Sequence, residues 1–111
     1  MWLNCTRTRV NPVNVGKVVD ILAGETSLAP IRVAPGFCGL LLVESTEVPG
    51  EIMSLTWWKR AEDGQAYLAS PECRQVIESI QEFLAKPLER QYYAVQIEAS
   101  PQISSVQREG G

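Results

Sequence analysis

The sequence predicts an α+β domain: a four-stranded antiparallel sheet with helices on one face, in the order β-α-β-β-α-β. Three observations carry that prediction. Strand-like runs alternate with apolar stripes at helical spacing. Two of the runs, 37–45 and 51–58, are separated only by turn chemistry and so form a hairpin. The chain has 111 residues, 45% of them hydrophobic, with a formal charge of −3. That describes one domain with a single core of modest size.

The elements follow in order. Residues 2–10 alternate loosely and carry β-branched Thr6, Thr8 and Val10, which predicts the first strand. "VNPVN" breaks it, and Asn14 is placed to cap a helix whose stripe is Val15, Val18, Val19 and Leu22. Gly24 and Pro30 leave the end of that helix open. "APGFCG" turns into the apolar second strand. Pro49-Gly50 suits the centre of a type II turn into the third strand, "EIMSLTWW". Glu62 and Asp63 favour a helix start, giving a short helix to about Ala69. Ser70 and Pro71 read as N-cap and first residue of the next helix, whose stripe runs Cys73, Val76, Ile77, Ile80, Phe83, Leu84. "QYYAVQIEA" predicts the fourth strand. Residues 1–99 thus form the domain and 100–111 a polar tail. The order is the ferredoxin-like one, with its second helix broken in two.

Helices from two crossovers cover one side of such a sheet, so the other side should be polar. It is not. On the third strand Ile52, Ser54, Thr56 and Trp58 oppose Met53, Leu55 and Trp57. On the second, Phe37, Leu41 and Val43 oppose Cys38, Leu40 and Leu42. An uncovered apolar face marks an interaction surface, and a second copy related by a two-fold axis is its simplest partner. A homodimer is therefore expected, with Trp57, Leu55 and Met53 at the interface.

Net charge and composition give no footprint for nucleic acid, and no apolar run is long enough to span a membrane or form a signal peptide. Cys5, Cys38 and Cys73 are an odd set without CxxC spacing, as expected of reduced thiols in a cytoplasmic protein. With no histidine in the chain, the common zinc and haem sites have no ligands, so no metal and no cofactor are expected. A nucleophilic Cys73 would lack the usual activating base, which favours a structural role.

The segments "PGFCGLLLVES", "PGEIMSLTWWKRAEDGQAYLASPECRQV" and "PLERQYYAV" resemble the antibiotic-biosynthesis-monooxygenase type of dimeric α+β barrel. The likeness spans roughly residues 7–98: a PGF-type turn, a third strand ending in tryptophan, an acidic helix start and a Tyr-x-x-Ser-like step. It implies the same fold and a dimeric α/β barrel. It also implies a ligand cleft in each subunit between sheet and helices, lined at the position of Trp58. Members include cofactor-free oxygenases of polycyclic phenols and quinones, and haem-degrading enzymes. The haem branch uses an asparagine and a histidine where this chain has Thr6 and Ile77, which argues against haem degradation here. The phenol branch has an asparagine where this chain has Ser54, a hydroxyl with fewer donors.

The substrate-binding candidates are accordingly Trp58, Ser54, Thr6, Asn4 and Tyr67, around a small hydrophobic or aromatic ligand. No catalytic base is evident. The expected function is cofactor-independent oxygenation of a small aromatic or quinol-like compound. The alternatives are a non-catalytic binding or regulatory module on the same dimeric scaffold, and a purely structural dimerisation domain.

Overall fold

A computed structural model describes residues 1–102. Strands β1 (Trp2–Arg9), β2 (Phe37–Glu44), β3 (Glu51–Trp58) and β4 (Glu89–Ala94) form one antiparallel sheet in the order β2-β3-β1-β4. Helices α1 (Val15–Leu22) and α2 (Glu25–Arg32) make the first crossover. Helices α3 (Ala61–Leu68) and α4 (Pro71–Ile80) make the second, followed by a 3-10 turn, Gln81–Phe83. This is the ferredoxin-like α+β fold that the element order predicts. Among the described residues no helix is long and apolar enough to cross a membrane.

Local chemistry explains most boundaries. Ser70 Oγ accepts from the Cys73 N–H at 3.2 Å and Pro71 opens α4, as predicted. The β2–β3 turn closes with Glu51 N–H donating to Val48 C=O at 3.2 Å. Gly50 has φ 84°, the left-handed value that position requires.

Four expectations need correction. Asn14 makes no side-chain cap; Asn11 instead accepts from the Val13 N–H and caps a 3-10 turn, Pro12–Asn14. The first crossover, like the second, is two helices. Its break at Gly24 is fastened by Ser27 Oγ, which donates to the Ile21 carbonyl at 2.7 Å. The fourth strand runs 89–94 rather than 91–99, because β1, its one neighbour among the described residues, starts at Trp2 opposite Ala94. Finally, a bulge at Cys38 shifts register between Phe37 and Gly39. Phe37 therefore joins the helix side, with its ring edge-on to Trp58 at 5.4 Å. Of the tail placed at 100–111, residues 103–111 lie outside the described part.

The interior has two apolar ends. Val10, Val18, Ile52 and Ile80 are the buried centre of an aliphatic cluster. At the other end Trp58, fully buried, meets Phe37 and stacks on Tyr67 at 5.5 Å, while Trp2 stacks on Tyr92 at 5.2 Å. Gly64 allows α3 to approach this end, because a Cβ there would collide with Trp2 and crowd Trp58. Along the helix side of β1, Asn4, Thr6 and Thr8 lie between those ends.

Candidate functional site

Register aligns the polar residues across the sheet. One row under the helices reads Leu42, Ser54, Thr6, Arg90; the next reads Leu40, Thr56, Asn4, Tyr92. These two rows, without Tyr92, floor a cavity of about 100 Å³. Its roof is apolar, drawn from every helix: Leu22, Leu28, Ile31, Leu68, Val76 and Ile77 among others. Tyr67 and Cys73 complete the wall. An outer groove of about 430 Å³, lined by Pro30, Pro35, Asp63 and Glu72 among others, shares Tyr67 with this cavity.

Of the five candidates from sequence, Asn4, Thr6, Ser54 and Tyr67 all line the cavity. Trp58 stands one layer behind them. Its indole N–H donates to Thr56 Oγ1 at 3.0 Å and its ring backs Tyr67, so it sets the position of two wall residues. Met53, Leu55 and Trp57 lie on the opposite, helix-free face, aligned with Leu3, Cys5 and Arg7 of β1 and with Leu41 and Val43 of β2.

Sequence reasoning missed Arg90, the one charged side chain of the cavity lining among the described residues. Reading "KPLER" as the end of the preceding helix and starting the fourth strand at Gln91 left it outside the sheet. Extending the alternation back from Tyr92 would have put Arg90 on the inward face.

The polar floor is incompletely bonded. Asn4 is 2% exposed; its amide N–H donates to Thr6 Oγ1 at 3.1 Å, and its Oδ1 has no partner among the described residues. Turning the amide over only exchanges which of its two polar atoms is orphaned. Arg90 Nε is likewise buried and unpaired among those residues, while its Nη2 reaches Cys73 Sγ at 3.9 Å. Leaving such groups unpaired costs roughly 1–3 kcal/mol each. They present a donor and an acceptor to whatever enters.

Burial pushes the Tyr67 hydroxyl up to about 12, with the Cys73 and Glu72 charges adding to it. Burial also raises the Cys73 thiol, opposed by the Arg90 guanidinium. Tyr67 is thus a neutral hydrogen-bonding group at physiological pH. Among the described residues the lining contains no Asp or Glu, and the chain has no histidine, so none of these residues offers a side-chain carboxylate or imidazole as a base. Arg90 instead offers positive charge, which favours the ionised form of a bound phenol. Among the described residues no group of three or more Cys, Asp or Glu is placed to hold a metal.

Two outcomes check this geometry. Asn4→Leu should leave the urea midpoint unchanged or raise stability by about 1 kcal/mol, since it removes an orphan amide; a loss of about 2 kcal/mol would make the amide a structural requirement. In an absorbance titration one of the three tyrosines should ionise only near pH 12, and Tyr67→Phe should delete that phase. The folded value lies above the ordinary 10, so Tyr67 contributes stability fully below pH 10, and that contribution is lost as pH rises through 12.

Solved structures share this architecture. A monooxygenase from the gene ActVA-Orf6 of Streptomyces coelicolor, in complex with nanaomycin D, superposes with a TM-score of 0.79 at 18% identity, covering 91% of this chain and 92% of that one. Rv0793 from Mycobacterium tuberculosis gives 0.74 at 20% identity, covering 89% and 98%. SnoaB, a cofactor-independent oxygenase from Streptomyces nogalater, gives 0.71 at 14%, covering 91% and 97%. At these identities the likeness establishes the fold. Among curated proteins, none matches the chain. The family model for antibiotic biosynthesis monooxygenase matches residues 6–79, which hold the second half of β1, β2 and β3 with the helices between them, the Tyr67–Ser70 step and most of α4. The chain therefore belongs to the antibiotic biosynthesis monooxygenase family.

Proposed function

We propose that this protein is a homodimeric, cofactor-independent monooxygenase that oxidises a small phenol- or quinol-type ring in the cavity beneath its helices. The observation that carries the reading is the pair of orphaned polar atoms, Asn4 Oδ1 and Arg90 Nε, on the polar floor of a cavity with an apolar roof. In a member of this family such a floor is suited to orient a ring through its oxygens. The named activities of ActVA-Orf6 and SnoaB support the same reaction class.

The chemistry follows from the residues present. A phenol reacts with dioxygen more readily as the phenolate, and an apolar cavity disfavours that anion by desolvation. Arg90 offsets the penalty with a full positive charge, and Thr6, Ser54 and Asn4 add hydrogen bonds in a setting of low dielectric. The ring then supplies all the electrons. One oxygen atom enters the ring, the other leaves as water, and the phenol becomes a quinone. The apolar roof excludes solvent. Trp58 acts as a positioning residue through Tyr67 and Thr56.

The helix-free face supports a dimer. Leu41 and Val43 are 54% and 41% exposed, and they share that face with Met53, Leu55, Trp57 and Tyr93. Arg7, bridging Glu51 and Glu89, borders this apolar field. A second copy laid face to face would cover it. Interior location in the cytoplasm fits the three free thiols.

A non-catalytic binding module on the same scaffold is the competing reading, favoured by the lack of a carboxylate base in the lining among the described residues. Oxygen uptake separates the two. With a panel of hydroquinones and polycyclic phenols the protein should consume oxygen. Arg90→Gln should lower kcat/KM by about tenfold or more, the worth of a charge-assisted hydrogen bond. Saturable ligand quenching of tryptophan fluorescence without oxygen uptake would establish the binder instead. For the assembly, light scattering should give a dimer at micromolar concentration and a monomer for Leu55→Glu; a monomeric wild type would refute the interface.

A further inference from the structure

Cys73 takes no part in the oxygenation just described, yet it is the one thiol that lines the cavity. It sits in the first turn of the ten-residue helix α4, where aligned peptide dipoles favour negative charge. Arg90 Nη2 lies 3.9 Å from its sulfur. Burial works against ionisation, so Cys73 is not a generally reactive thiol. Its reactivity depends on an electrophile being held beside it.

We propose that Cys73 is a covalent capture site for quinones that form in or enter the cavity. The proposal rests on reading the cavity as a site for phenol- or quinol-type rings. A quinone is a soft Michael acceptor, and sulfur is the softest nucleophile in the lining. In the addition, an Sγ–carbon bond forms and a ring C=C π bond breaks, its electrons passing to a carbonyl oxygen. That oxygen takes the thiol proton. The ring proton on the attacked carbon then moves to the second oxygen, and the product is a hydroquinone thioether. The ring is reduced at the expense of the new bond, so no other reductant is needed.

The orphaned groups give independent support, because they fit this product. Asn4 is 2% exposed, and among the described residues its Oδ1 is unpartnered and the buried Arg90 Nε has no acceptor. A hydroquinone carries oxygens that accept from Arg90 and hydroxyls that donate to Asn4. Arg90 thereby serves both reactants, with Nη2 beside the sulfur and Nε–H free for a carbonyl oxygen.

The test uses the folded wild-type protein and its own reference thiol. Cys38 is exposed, on the bulge of β2. Separate samples are treated with limiting 1,4-benzoquinone or iodoacetamide, and peptide mass spectrometry gives the Cys73-to-Cys38 labelling ratio. The ratio should be about tenfold or more higher with benzoquinone, the advantage of a ring held beside its nucleophile. Arg90→Gln should bring the two ratios together. Equal ratios in the wild type, or quinone on Cys38 alone, would overturn the proposal. Labelling requires no turnover, so the two readings fail separately. Selective capture without phenol oxidation removes the oxygenase and keeps the site. Oxygen uptake without selective capture removes the site alone.

Discussion

Burying polar atoms in a sheet is costly, and this protein does so in its two central strands. Asn4, Thr6 and Thr8 on β1 and Ser54 and Thr56 on β3 face the helices, where leucine or valine would have packed more simply. Some of that cost is recovered locally, through the Asn4–Thr6 and Trp58–Thr56 hydrogen bonds. The remainder, at Asn4 Oδ1 and Arg90 Nε, stays uncompensated within the described residues. A core selected only for stability would not retain it, whereas a ligand site would.

The apolar ends of the interior make this tolerable. The aliphatic cluster around Val18 and Ile52 fixes α1 and α4 at one end. The aromatic cluster around Trp58 fixes α3 at the other. Burial of an indole of ~200 Å² contributes at most about 5 kcal/mol at 25 cal/mol per Å². Helices anchored at both ends can bridge a polar floor without collapsing onto it. The same arrangement separates the two adjacent tryptophans: Trp58 supports the cavity wall, while Trp57 lies across the sheet on the open face.

Much of this was legible in the sequence because it follows from periodicity. Alternation in β3 separates Trp57 from Trp58, and the i, i+3, i+4, i+7 stripe delimits α1. Ser70-Pro71 marks the start of α4. Other features depend on tertiary pairing and leave no local trace. The bulge at Cys38, which turns Phe37 toward Trp58, is one. The division of the first crossover is another, since Pro30 reads as a helix stop yet lies inside α2. Three of the five site candidates, Asn4, Thr6 and Ser54, were legible as polar residues on inward strand faces, and Tyr67 as a residue of the short helix beside them. Arg90 was hidden by the two-residue error in the start of β4, and an inward-facing arginine is a residue that hydrophobic patterning does not anticipate.

The central claim is that the polar floor exists to bind a ring through its oxygens. Nuclear magnetic resonance tests it most directly, by following the Asn4 side-chain amide, the Arg90 Nε–H and the Trp57 indole N–H during titration with a small hydroquinone under nitrogen. The account predicts saturable shifts of the Asn4 and Arg90 signals, with the Trp57 signal unmoved. Shifts confined to Trp57 and the open face, with Asn4 and Arg90 unchanged, would contradict it.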